Sequence, residues 1–178
     1  MTTGHVFMAM SLDGFVARED NSLDWLMKQG AEGEDTGFAE FEASNDCIIM
    51  GSESFRTILG FDDWVYTKPA IVMSSTMTKD DIPKRLDGKV TITELAPADL
   101  MQSLHAKGWN RAYVDGGKVV QSFLREGLIA DLVVTIALIL VGRGKRLFGE
   151  TVGDIDLQLV DSKAFGSGLV SNTYRVIP

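Results

Sequence analysis

Asp115-Gly116-Gly117-Lys118 stands between the apolar run Ala112-Tyr113-Val114 and a stretch with helical spacing that begins Val119-Val120. A strand that ends in two glycines and turns straight into a helix leaves bare backbone N–H groups at the helix start, where a phosphate can approach without meeting a Cβ. By itself such a pair is more often a tight turn than a nucleotide site. Four strand ends in this chain, however, carry small or hydrogen-bonding residues: Ala9 to Ser11, Gly51 to Ser54, Ser74-Ser75 and Asp115 to Lys118. Ligands of open α/β sheets bind beyond the carboxyl ends of the strands, so these four can line one crevice. Ser52-Glu53-Ser54 and Gly117-Lys118-Val119 each open a helix, and the positive ends of two helices suit the two phosphates of a dinucleotide.

Other residue types with chemical potential carry less. His5 and His105 are the only histidines, and neither has the company of a catalytic base or a metal ligand. No His, Cys and carboxylate cluster has metal spacing, so no metal is expected, and no nucleophile elbow or Walker motif is present. Cys47 lies in the apolar run Cys47-Ile48-Ile49-Met50 and reads as a buried structural thiol. Asp13, in Ser11-Leu12-Asp13-Gly14, reads as a turn residue. Asp24, Asp35 and Glu40 lie between the first strand and Cys47, where one acid could face a substrate.

The elements that must position these residues alternate. Val6 to Met10 reads as a first strand, followed by a turn at Leu12-Asp13-Gly14 and the small patch Phe15-Val16-Ala17. Ser22 to Lys28 reads as one or two helical turns with Ser22 as a possible N-cap. Gly30 to Gly37 is a polar loop, and a helix then runs from Phe38 to near Asn45. Strands follow at Cys47–Met50, Pro69–Met73, Val90–Thr93 and around Tyr113. Helices are expected at Ser52–Leu59, Ala98–Lys107 and Lys118–Glu126, the last stopped by Gly127. The longest apolar stretch, Asp131 to Val141, reads as a central strand buried on both faces. Asp156–Asp161 and Gly168–Ile177 suggest a terminal hairpin. The sum is an α/β/α sandwich with a mostly parallel mixed sheet and an antiparallel C-terminal edge.

At 178 residues, 45% hydrophobic and 24% charged, the chain has the size and composition of one globular domain spanning 1–178. A net charge of -8 gives no global basic footprint for nucleic acid, so an anionic ligand needs a locally built pocket. With one cysteine there is no intrachain disulfide. No apolar run approaches membrane-spanning length, and no basic segment followed by an apolar one opens the chain. A cytoplasmic protein without membrane or nucleic-acid partners is the expectation.

Taken in order, the segments resemble the dihydrofolate reductase superfamily, and within it the reductase domain at the C-terminus of the bacterial bifunctional riboflavin-biosynthesis deaminase/reductase. The resemblance rests on Met8 to Ala17, on Ile49-Met50-Gly51-Ser52-Glu53-Ser54-Phe55, on Lys68 to Ser75, on Tyr113-Val114-Asp115-Gly116-Gly117 and on Leu140 to Phe148. It implies a nicotinamide-dependent reductase that passes a hydride to a small heterocycle such as a ribosylamino-pyrimidine. Ala9, Val16 and Ala17 would flank the nicotinamide, while Gly51, Ser52, Ser54 and Asp115 to Val119 would hold the pyrophosphate. Ser74 and Ser75 would meet the adenosine ribose. The implied cofactor is NADPH. NADH is the alternative, because Ser52 and Glu53 replace the family's arginine segment; Lys68, Arg56 or Lys118 could compensate. Asp35 falls near the acid that true dihydrofolate reductases use to promote substrate protonation, and is the candidate catalytic residue. Two other readings stay open: a true dihydrofolate reductase, and a nucleotide-binding module without catalysis. The apolar C-terminal tail resembles edge strands that pair in dimers, so a homodimer is expected.

Overall fold

Along Thr3–Ser11 (β1), Val6, Met8 and Met10 alternate with His5, Phe7 and Ala9, which gives the strand an apolar character on both faces and a place inside a sheet. The computed structural model describes residues 1–30 and 33–178. After β1 come β2 (Phe15–Ala17), α1 (Asp24–Met27), α2 (Phe38–Ala43), β3 (Cys47–Gly51), α3 (Ser52–Leu59), β4 (Ala70–Met73) and β5 (Val90–Thr93). The chain continues through α4 (Pro97–Ala106), β6 (Arg111–Asp115), α5 (Gly117–Arg125), β7 (Ile129–Ala137), β8 (Lys145–Arg146), β9 (Leu157–Ala164) and β10 (Val170–Val176).

Eight strands form one sheet in the order β5-β4-β3-β6-β1-β7-β10-β9, while β2 and β8 pair separately. From β5 to β7 every pairing is parallel; β10 then runs antiparallel to β7, and β9 antiparallel to β10. The expected mostly parallel sheet with an antiparallel C-terminal edge is therefore present. Leu100, Met101 and Leu104 of α4 and Val120 and Phe123 of α5 pack on one face over Val6, Ile49 and Val114. On the other, Phe55 and Ile58 of α3 join Ile48, Met50 and Val72, with Phe38 and Phe41 of α2 beside them. Each fully buried Leu, Ile or Phe of these layers contributes about 1.5–3 kcal/mol.

Two boundaries differ from expectation. β7 begins at Ile129 and ends at Ala137, so the apolar run to Val141 is not all strand. Leu138 and Leu140 are 66% and 69% exposed, because the chain leaves the sheet there to meet Asp13. The Asp13 carboxylate accepts hydrogen bonds from the backbone N–H groups of Val141 (3.0 Å) and Gly142 (2.8 Å) and from the Ser11 hydroxyl (2.6 Å). Those donors, Ser11 foremost, hold its pKa down at about 2. The turn residue is thus also a tether between two loops. At α1 the N-cap is Leu23, with no side-chain cap; the Ser22 hydroxyl instead donates to Asp24 at 3.3 Å. Of the Gly30–Gly37 loop, Ala31 and Glu32 lie outside the described residues.

Candidate functional site

The carboxyl ends of β1, β3 and β6 open on a cleft of about 470 Å³ lined by Met8, Val16, Ala17, Ser54, Tyr66 and Asp115 to Lys118, among others. A second hollow of about 300 Å³ adjoins it, lined by Gly51 to Ser54, Arg56, Met73 and Gly116 to Val119. Both helices that begin there, α3 and α5, lack a side-chain cap. Their first-turn N–H groups have no partner within the helix, so the hollow is bordered by two donor clusters of like orientation. Gly116 has φ +92°, a conformation that favours glycine, and a Cβ there would strike the Ser54 hydroxyl. At Gly117 a Cβ would strike the Arg146 carbonyl oxygen. The glycine pair thus lets α5 start flush against α3 and β8. A pyrophosphate fits this donor set, in which backbone N–H groups rather than side chains meet the ligand.

Asp115 forms the floor of the larger cleft. Alternation along β6 puts Tyr113 and Asp115 on one face, with the Tyr113 hydroxyl 3.0 Å from the Phe7 carbonyl oxygen and 3.2 Å from Asp115 Oδ1. A tyrosine has one proton, and the carbonyl, which can only accept, is the nearer partner. The carboxyl is therefore left with incomplete compensation. Burial raises its pKa from 3.8 to about 6, against the smaller opposing pull of Tyr113 and the Gly116 N–H. Behind it stands an aromatic wall: Tyr113 meets Phe41 at 5.1 Å and Tyr66 at 6.2 Å between ring centroids, and Tyr66 meets Trp64 at 5.5 Å. Burial pushes the Tyr66 and Tyr113 hydroxyls well above the usual phenol range, so both stay protonated.

The loop carrying Tyr66 is fixed by a residue that sequence reading missed. Glu42 of α2 is buried, and its Oε1 accepts the Thr67 N–H at 2.6 Å and the Lys68 N–H at 3.4 Å. Near the α3 and α5 starts, Glu53 Oε1 lies 3.5 Å from both Lys118 Nζ and Lys145 Nζ. Gln121 Nε2 donates to the Arg146 carbonyl at 3.0 Å, binding α5 to β8. Gln121 and Glu42 have no motif around them, and Lys145 lies in the Leu140 to Phe148 segment without having been singled out. The Tyr113-x-Asp115 spacing was the available signal for a tyrosine and an acid on one strand face.

The sequence-predicted residues divide by place. Val16, Ala17, Ser54 and Asp115 to Lys118 line the large cleft, and Gly51, Ser52 and Val119 line the adjoining hollow. Ala9 is paired with Thr135 in the sheet, two residues before Ser11 ends β1. Ser74 and Ser75 follow β4 directly, and the Ser74 hydroxyl oxygen accepts the Thr76 and Met77 N–H groups at 3.2 and 3.1 Å. Asp35 lies elsewhere, in a groove with Phe7, Glu40, Phe41, Asp161 and Lys163, where its Oδ1 accepts the Gly37 N–H at 2.9 Å before α2. Of the three compensating cations, Lys68 donates to the Ala43 carbonyl at 3.1 Å, while Arg56 and Lys118 line the hollow. Cys47 is fully buried, and burial pushes its thiol up to about 12. His5 is buried at the far end of β1, 2.8 Å from Asp131.

Comparison with known proteins agrees with this architecture. A solved structure from Shewanella sp. PV-4, provisionally named a riboflavin biosynthesis protein, is 36% identical, with 99% of this chain and 100% of that one aligned at a TM-score of 0.93. The Thermotoga maritima diaminohydroxyphosphoribosylaminopyrimidine deaminase/5-amino-6-(5-phosphoribosylamino)uracil reductase shares the fold at a TM-score of 0.76 and 11% identity, over 99% of this chain and 57% of its own. YwjB of Bacillus subtilis (strain 168), a protein of unassigned function, is 29% identical over 92% of both chains. The RibD C-terminal domain family matches residues 2–171, nearly the whole chain, and the chain belongs to this family.

Proposed function

We propose that the protein is a nicotinamide-dinucleotide-dependent reductase acting on a small heterocycle, with NADPH as its cofactor. The observation that carries this reading is the placement of a buried, readily protonated carboxyl, Asp115, two residues before the uncapped start of α5. In this reading Gly51, Ser52, Ser54 and Gly116 to Val119 hold the pyrophosphate through the N–H groups of α3 and α5. Ala9, Val16 and Ala17 flank the nicotinamide and exclude water from it, and Ser74 and Ser75 lie toward the adenosine ribose. Arg56, which lines the hollow and makes no ion pair among the described residues, faces the phosphate that distinguishes NADPH from NADH. When bound, the cofactor supplies the hydride. Asp115 supplies the proton to the substrate atom that gains one, from a carboxyl held neutral by burial up to about pH 6. Asp35, in its separate groove, holds the turn into α2.

The test is NADPH oxidation measured with pyrimidine and related heterocyclic acceptors across pH. Turnover that falls as pH rises through about 6, with the limb abolished and kcat about 100-fold lower in Asp115→Asn, is the expected result. An unchanged profile in that variant contradicts the assignment. The C-terminal tail expected to form a dimer edge is not an edge, because β10 pairs with both β7 and β9. The edge is β9, whose eight residues are all exposed, Leu157, Leu159 and Val160 among them, and this supports a homodimer through β9 instead. The lone, buried Cys47 suits a reducing, cytoplasmic compartment.

A further inference from the structure

The charges of the cleft are divided between its two ends. Building on the cofactor placement proposed above, we infer that the substrate end accepts a neutral planar ring, a pyrimidine-like or conjugated carbonyl compound that carries no phosphate. The cationic residues lining the cleft are Lys118, Lys145 and Arg146. Lys118 and Lys145 share Glu53, and the Arg146 guanidinium lies 4.7 Å from the centre of the Phe15 ring. Lys118 and Lys145 thus sit at the end where α3 and α5 begin, the end assigned to the dinucleotide, while Arg146 is turned onto Phe15 of β2, the strand assigned to the nicotinamide.

Along α3 the character changes. Ile58 lies about 7.5 Å further down the helix axis than Glu53, at 1.5 Å per residue. There the lining becomes Thr57, Ile58, Phe61, Val65 and Tyr66, with Asp115 beside them. Between Thr57 and Tyr66 the sequence has Asp62 and Asp63 and no Lys or Arg, and both aspartates are exposed. The carboxyl end of α3, which ends at Leu59, adds the negative pole of a helix dipole. A phosphate placed here would lose water against an apolar wall and meet an acid at its floor, with no Lys or Arg among the described lining residues from Thr57 to Tyr66 to compensate. A neutral ring would lose only weakly held water and could stack against Tyr66.

Two ligands that differ by one phosphate test this: a ribosylaminopyrimidine and its 5′-phosphate, titrated calorimetrically into protein saturated with NADPH. The neutral compound is expected to bind about 30-fold tighter. Val65→Arg, at a position 44% exposed and so tolerant of a long side chain, is expected to reduce that preference to threefold or less. Equal or tighter binding of the phosphate by the wild type overturns the inference, as does binding of neither compound, or an unchanged preference in Val65→Arg. NADPH fluorescence, read before either compound is added, reports separately on the cofactor reading.

Discussion

Asp115 shows how a single residue takes its chemistry from its surroundings rather than its type. The same carboxyl in a solvated turn would be ionised above pH 4; buried at the end of β6 beside Tyr113, its pKa rises to about 6. The native state holds the proton more tightly than the unfolded chain, so the contribution of Asp115 is fully present below 3.8 and is lost as pH rises to about 6. The loss amounts to about 3 kcal/mol. Denaturant unfolding of wild type and Asp115→Asn at pH 4 and pH 7 is therefore expected to show the variant gaining relative stability of that order at the higher pH; a pH-independent difference would count against a buried titrating acid. Arg56 is tested by truncation to Ala, which is expected to raise the Kd for NADPH about tenfold and leave that for NADH unchanged in fluorescence titrations. At this scale the sequence was partly legible. Asp115 was visible as part of the glycine motif, but its titration depends on burial by residues distant in the chain, which no local spacing encodes.

Among the elements, the abutting starts of α3 and α5 set the geometry. Gly116→Ala puts a Cβ into the Ser54 hydroxyl from a backbone of φ +92°, at a cost of about 1–3 kcal/mol. Because that strain is relieved only if α5 moves away from α3, NADPH affinity is expected to fall at least tenfold in the folded variant, measured by the same titration. Glu42 does comparable work for the loop after α3. Its removal in Glu42→Ala leaves a partly buried Thr67 N–H without its acceptor, which costs about 1–3 kcal/mol by chemical denaturation. Hydrogen exchange should rise over residues 64–68 more than elsewhere. Element positions were readable because apolar runs and glycine stops coincide, as at Cys47–Gly51 followed by Ser52–Leu59. The end of β7 was not, because Leu138 to Val141 keep the composition of a strand while Asp13, far away in sequence, draws them out of the sheet.

For the whole molecule, the parallel sheet brings the ends of β1, β3 and β6 to one side, so one continuous crevice is open to both of the ligands proposed. The net charge of -8 gives the local arrangement its weight: the proposed anionic cofactor would gain nothing from the global field and would depend on helix N-termini, Arg56 and the lysines around Glu53. At the other edge of the sheet, the exposed face of β9 predicts a dimer in sedimentation velocity, reduced to monomer by Leu159→Lys, which places a charge on an exposed apolar position of that strand. Fold and crevice were legible in the order of the segments, whereas the division of charge between the two ends of the cleft appeared only once α3 and the loop to Tyr66 were placed in space. The central claim is that the diglycine crevice holds a nicotinamide dinucleotide with its reactive ring beside Asp115. A crystal structure of the protein with NADPH tests it most directly. The pyrophosphate is expected against the first-turn N–H groups of α3 and α5 and the nicotinamide in the cleft over Asp115; a cofactor bound elsewhere, or with its nicotinamide outside that cleft, would contradict this placement.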